Sequence, residues 1–208
     1  PRNGFSILCT VSSTDHNRAL KILTKRVQKR LSPRQIRLAN FAQENSWEFH
    51  SEVDWNTAYL RSFHFFETRP VKGKNNCLKG SYSTEDGESI SWELSDVIFD
   101  EGAFLSSEVY MTSSQVIKLP FSIAKFILEK EGIIDKIKGE NEQEVRNFFS
   151  SEMIEFFENS DTYHIECNGE ALLIFNKIRL AKSEEIINLI KFSSLLIEKI
   201  ESQVKSYS

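Results

Sequence analysis

Two runs of strict alternation constrain this chain more than anything else in it. Leu78, Gly80 and Tyr82 alternate with polar residues, and Ile90, Trp92 and Leu94 do the same after Glu85-Asp86-Gly87. Side chains with period two share one face of a strand, and Asp-Gly between two such runs marks a hairpin, because a tight turn needs the positive φ that glycine adopts freely. Val97-Ile98-Phe99 and Ala103–Met111 supply further strands. Together these runs predict an antiparallel meander from Cys77 to Val116 with one apolar and one wet face. A second hairpin is expected at Asn168-Gly169. Its first strand places Tyr163, Ile165 and Cys167 on one face, and its return strand places Leu173 and Phe175 on one face.

The segments between and around these hairpins read as helices. Leu20, Leu23, Val27 and Leu31 give residues 15–31 a narrow apolar stripe. Ser32-Pro33-Arg34-Gln35 restarts the chain: Ser32 is a good N-cap, Pro33 suits the first helical position, and Gln35 stands where a capping box takes Glu or Gln. The helix that follows runs to about Asn45. Trp47-Glu48-Phe49 reads as a short strand, and Arg69–Lys74 as a basic loop. Ile123, Phe126 and Ile127 predict a helix over 122–131. A stripe of Phe148, Phe149, Met153, Phe156 and Phe157 predicts helix over 141–158, where Ser150 or Ser151 can cap a restart. Ser183 caps a final helix whose Ile186, Ile190, Ile197 and Ile200 need an apolar partner, namely the second hairpin. The expected fold is α+β: an antiparallel sheet built from a central meander and a C-terminal hairpin, packed by helices, with a basic N-terminal helix. Residues 1–32 form the expected basic arm, and residues 33–208 a single α+β domain.

Charge is divided along the chain. Residues 1–40 hold nine Lys/Arg and only Asp15 as an acid, a net +8, which leaves −12 for the other 168 residues out of a total of −4. The candidate anion-facing residues are Arg18, Lys21, Lys25, Arg26, Lys29, Arg30, Arg34 and Arg37. Such asymmetry suits an arm that meets an anionic membrane surface or an acidic protein partner. Nucleic acid is the alternative, opposed by the acidic remainder. The plain reading is a solvated helix face that complements the acidic body. Three scattered cysteines, Cys9, Cys77 and Cys167, fit reduced thiols in a cytosolic compartment. No window approaches the roughly 18 apolar residues of a membrane span. Pro1 in place of Met implies a processed N-terminus or a piece of something longer.

Motifs for chemistry are missing. There is no G-x-S-x-G, P-loop, G-x-G-x-x-G or H-E-x-x-H. His164 and Cys167 lie three apart on a predicted strand, hence on opposite faces, and cannot chelate one metal together unless the strand is bulged. No metal site and no cofactor is expected. Phe63, Phe65 and Phe66 stand near Arg61, Arg69, Lys72 and Lys74, a mixture that can stack single-stranded bases; core packing is the favoured reading. A non-enzyme is favoured, with an enzyme site assembled from scattered residues as a further alternative.

Several landmarks appear in a familiar order: Arg37-Leu38-Ala39-Asn40-Phe41-Ala42 before Trp47-Glu48-Phe49, Phe63-His64-Phe65-Phe66 before Leu78-Lys79-Gly80, Leu119-Pro120-Phe121 after a strand, and Ile165–Phe175 before a terminal helix. In this order and character, residues 34–200 resemble a group of uncharacterised bacterial proteins whose α+β domain commonly follows one or two transmembrane helices. Ser46 stands where such proteins often have Gly. The resemblance implies a cytoplasmic, membrane-associated domain and transfers no catalytic residues. The expected function is therefore a non-enzymatic cytoplasmic domain at a membrane surface or in a membrane-associated protein complex, with the basic helix contacting an anionic surface.

Overall fold

The structure is a computed structural model that describes residues 31–52, 57–84, 87–100, 108–128, 137–138, 145, 147–158, 163–176 and 178–207. The expected helix over residues 15–31, and with it most of the basic arm, lies outside the described residues. The chain divides into two compact units, residues 1–37 and residues 38–208.

Helix α1 (Pro33–Glu44) begins with the expected reciprocal cap. The Gln35 N–H donates to Ser32 Oγ at 3.2 Å, and the Ser32 N–H donates to Gln35 Oε1 at 2.8 Å. The helix buries Leu38, Phe41 and Ala42. It is followed by β1 (Glu48–Glu52), a 3-10 turn (Ala58–Ser62), the short α2 (His64–Glu67), β2 (Val71–Ser83), β3 (Ser89–Asp100) and β4 (Val109–Lys118). Then come β5 (Phe126–Leu128), β6 (Ile137–Lys138), α3 (Ser151–Glu158), β7 (His164–Cys167), β8 (Ala171–Phe175) and the long α4 (Ser183–Tyr207). Ser150 Oγ accepts from the Met153 N–H, so α3 does restart at a serine cap.

The described strands form one eight-stranded antiparallel sheet in the order β1-β2-β3-β4-β8-β7-β5-β6. The meander and the C-terminal hairpin are thus joined edge to edge through β4 and β8. The fold is α+β, as expected.

Three local expectations are corrected. Residues 126–128 form strand, not helix. Ile123, Phe126 and Ile127 fit helical spacing, yet Phe126 and Leu128 alternate into the core and the segment pairs with β7. The Arg69–Lys74 segment is not a loop after its first two residues, because β2 starts at Val71. The meander is wet on one side only at its β2–β3 hairpin end, where Lys79, Ser81, Ser83, Ser89 and Ser91 are exposed. Ile90, Trp92 and Leu94 of β3 enter a core shared with α1, α3 and α4, while Val97 and Phe99 of the same strand enter a second cluster with Leu60, Phe63, Phe65 and Phe66. The switch from even to odd positions is a switch of face, so from Val97 onward β3 is covered on its second side as well. Strand β8 does this within five residues: Leu172 and Ile174 point to the helices, Leu173 and Phe175 to the aromatic cluster.

Candidate functional site

Residues 57–68, the 3-10 turn and α2, form a cap over one face of the sheet. Phe63 adopts extended backbone between the two short helices. This lets Leu60, Phe63, Phe65 and Phe66 all turn inward, and each is buried. The Phe65 ring meets Phe175 at 4.7 Å, Phe99 at 5.3 Å and His164 at 5.5 Å between centroids. These phenylalanines are core, the reading favoured over base stacking.

Polar clips hold the cap. Glu166 on β7 is only 2% exposed. Its carboxylate accepts from the Phe65 N–H at 3.0 and 3.2 Å and lies 2.6 Å from His164 Nε2. The Asn168 amide donates to Ser62 Oγ at 2.7 Å. At the far end of the cap, the Tyr59 hydroxyl donates to Glu93 at 2.9 Å, and Lys74 Nζ pairs with Glu93 while lying 2.9 Å from the Tyr59 hydroxyl. The Lys74 side chain is 4% exposed, although the sequence places it in a run of exposed-looking basic residues.

Beyond the cap the sheet face falls into a groove of about 1180 Å³. Strand β8 explains it: along the cap-side face the side chains run Phe175, Leu173, Ala171, and the cover stops where they shrink. Val116, Ala171 and Ile127 lie at the floor and Phe63 and Tyr59 on the cap side, and the Leu119-Pro120-Phe121 segment also lines the groove, with Leu119 and Phe121 packed against the helix-side core. Lys118, Lys125, Glu67 and Glu170 stand around its edge.

The electrostatics suit holding rather than reacting. Burial pushes the Cys77 thiol up to about 12, with the Glu93 charge adding to the effect, and pushes Cys167 up to about 11. Burial and the neighbouring Glu93 also raise the Tyr59 phenol. For Glu93 burial acts in the opposite sense, but hydrogen bonding and charge from Lys74 outweigh it and hold the carboxylate below its usual range. The thiolate is the nucleophile, so two protonated, buried thiols are poor candidates for one. Among the described residues no group of three His, Cys, Asp or Glu converges as a metal site.

Of the basic residues singled out in the sequence, Arg34 and Arg37 lie in the first two turns of α1; the other six are outside the described residues. His164 and Cys167 do lie on opposite faces, His164 stacked on Phe175 at 4.5 Å and Cys167 in the helix-side core. Sequence reasoning missed Glu166, Glu93, Lys74 and Tyr59. Glu166 did leave a signal: a lone carboxylate inside an apolar strand must find a buried partner.

No helix among the described residues is long and apolar enough to cross a membrane. No family model matches this chain, and no curated protein matches it. One solved structure does. The chain is similar to the crystal structure of the mycobacterial trehalose monomycolate transport factor A, TtfA. The TM-score is 0.53 at 11% identity, over 80% of this chain and 93% of that one. At that identity the likeness is one of fold.

Proposed function

We propose that this chain is a non-enzymatic domain working on the cytoplasmic side of a membrane, in a transport-related complex, with its basic N-terminal segment drawn to an anionic surface. The observation that carries the reading is the charge division, +8 in residues 1–40 against −12 in the rest. Each basic residue near an anionic leaflet contributes about 1 kcal/mol of attraction. The eight residues from Arg18 to Arg37 thus supply a substantial, salt-sensitive pull. Arg34 adds to it by standing in the first turn of α1, where the helix dipole is also positive. Two further facts support the reading. The fold is like that of a protein named as a transport factor, and the order of landmarks resembles bacterial domains that follow transmembrane helices.

Vesicle co-sedimentation tests it. Binding is expected to rise with the fraction of anionic lipid and to fall as salt increases from about 0.05 to 0.5 M, where the screening length shrinks severalfold. Replacing Lys21, Lys25, Arg26 and Lys29 with glutamate should abolish the anionic preference. Equal, salt-insensitive binding to neutral and anionic vesicles, or none to either, would overturn the proposal.

A further inference from the structure

We infer that the groove beside the cap is a binding site for a single-chain amphiphile with an anionic head, of the fatty-acid class, its tail on the Val116–Ala171–Ile127 floor and its head at Lys118. The inference deepens the membrane reading, on which it rests for the source of such a ligand.

The floor sets the tail chemistry. The strands beneath it are paired across the whole width, Lys118 with Ala171, Cys167 with Leu172 and Ile127 with Glu166. Their backbone donors and acceptors are therefore engaged in the ladder. Whatever lies above meets Val116, Ala171 and Ile127, which offer no hydrogen bonds. A polar metabolite pressed onto such a surface loses water without replacement, whereas a hydrocarbon gains. The buried carboxylate in the lining, Glu166, is turned toward the Phe65 N–H and His164. It belongs to the cap.

The edge sets the head. Glu67, beside His64 at 3.3 Å, and Glu166 below put carboxylates at the cap end, while at the other end Glu170 stands with two lysines, Lys118 and Lys125, which outnumber it. Lys118 stands on β4, two strands from Glu166 in the sheet order and two residues further along, a separation of about 12 Å. It shares the cap-side face with Val116 and has no ion-pair partner among the described residues. An anionic head is repelled at one end of the groove and attracted at the other, which gives the ligand a direction as well as a place.

Titration of the full chain with a dansyl-labelled fatty acid, below its critical micelle concentration and without vesicles, tests this. Saturable binding of one probe per chain is expected, displaced by unlabelled hexadecanoic acid. Ala171→Phe fills the hollow and should weaken binding by at least about tenfold while leaving the melting temperature in place. Lys118→Glu, on an exposed side chain, should weaken the acid about fivefold or more and leave hexadecanol within about twofold. This second comparison decides the matter if Ala171→Phe does not fold. Absence of saturable binding, probe affinity unchanged in a folded Ala171→Phe chain, or equal loss of acid and alcohol in Lys118→Glu would overturn the inference. The vesicle assay is separate. Acid binding without vesicle binding would remove the membrane reading and leave the groove assignment standing.

Discussion

Ser46 has φ of 58°, in the left-handed region, and it occupies the position just past α1 that helices usually give to glycine. The bonding there is complete. The Trp47 N–H reaches back to the Ala42 carbonyl at 2.8 Å and the Ser46 N–H to the Gln43 carbonyl at 3.4 Å, while the Phe41 and Trp47 rings meet edge-on at 5.2 Å. A side chain in that conformation costs about 1 kcal/mol or more. Ser46→Gly should therefore stabilise the protein, after the entropy glycine adds to the unfolded chain, by about 0.5–1 kcal/mol. A thermal melt reads this as a rise of about 1–4 °C. The buried thiols make a second residue-scale prediction. Cys77 and Cys167 keep their protons in the folded state to about 12 and about 11. An unfolded thiol ionises near pH 8.5, so between these values the folded state binds more protons and stability falls as pH rises. Urea denaturation at increasing pH should show that decline. A Cys77→Ala/Cys167→Ala chain should show less of it, whatever its absolute stability. Legibility differed even at this scale. The Ser32/Gln35 cap could be read because both partners lie within one turn. Lys74 and Glu93 could not, because their attraction depends on a cross-strand pairing 19 residues apart in sequence.

At the scale of elements, the C-terminal hairpin is the instructive case. Asn168 and Ala171 close it, with the Asn168 N–H donating to the Ala171 carbonyl at 3.1 Å. The turn pair is therefore Gly169-Glu170, one residue later than the sequence reading. Gly169 takes φ of 102° at the first turn position, and Asn168 instead uses its side chain to accept from the Glu170 and Ala171 N–H groups. Both roles suit these residue types, and the sequence alone does not choose between them. Helix α4 does pack on this hairpin, burying its isoleucine stripe against the Leu172 and Ile174 face. Phe175 is 3% exposed but lies on the other face, against Phe65 and His164. Phe175→Ala should accordingly cost about 3–5 kcal/mol, measured by chemical denaturation, and should loosen the cap rather than α4. A loss below about 1 kcal/mol would contradict this burial. Gly80 supplies a related lesson. It fits the alternation as a missing side chain, and the structure puts the Trp92 indole in that space, against Trp47.

In the molecule as a whole, β8 is the strand that makes residues 38–208 one body. It connects the meander to the C-terminal strands, and Leu172, Leu173 and Ile174 are fully buried on alternating faces. Native-state hydrogen exchange should find its amides, with those of β4, among the slowest, opening only with global unfolding, while edge strand β1 exchanges faster. Rapid exchange of the β8 amides would break this picture. The sequence by itself determined most strand and helix periodicities, the existence of both hairpins, the α1 cap and the charge division, because these depend on neighbours within a few residues or on summed charge. Only the tertiary structure decided that β4 joins β8, that residues 126–128 extend rather than coil, that the aromatic cap covers the second sheet face, and that a groove opens beside Ala171. Each of those depends on which apolar surfaces meet across long loops, and burial energy carries no record of sequence separation.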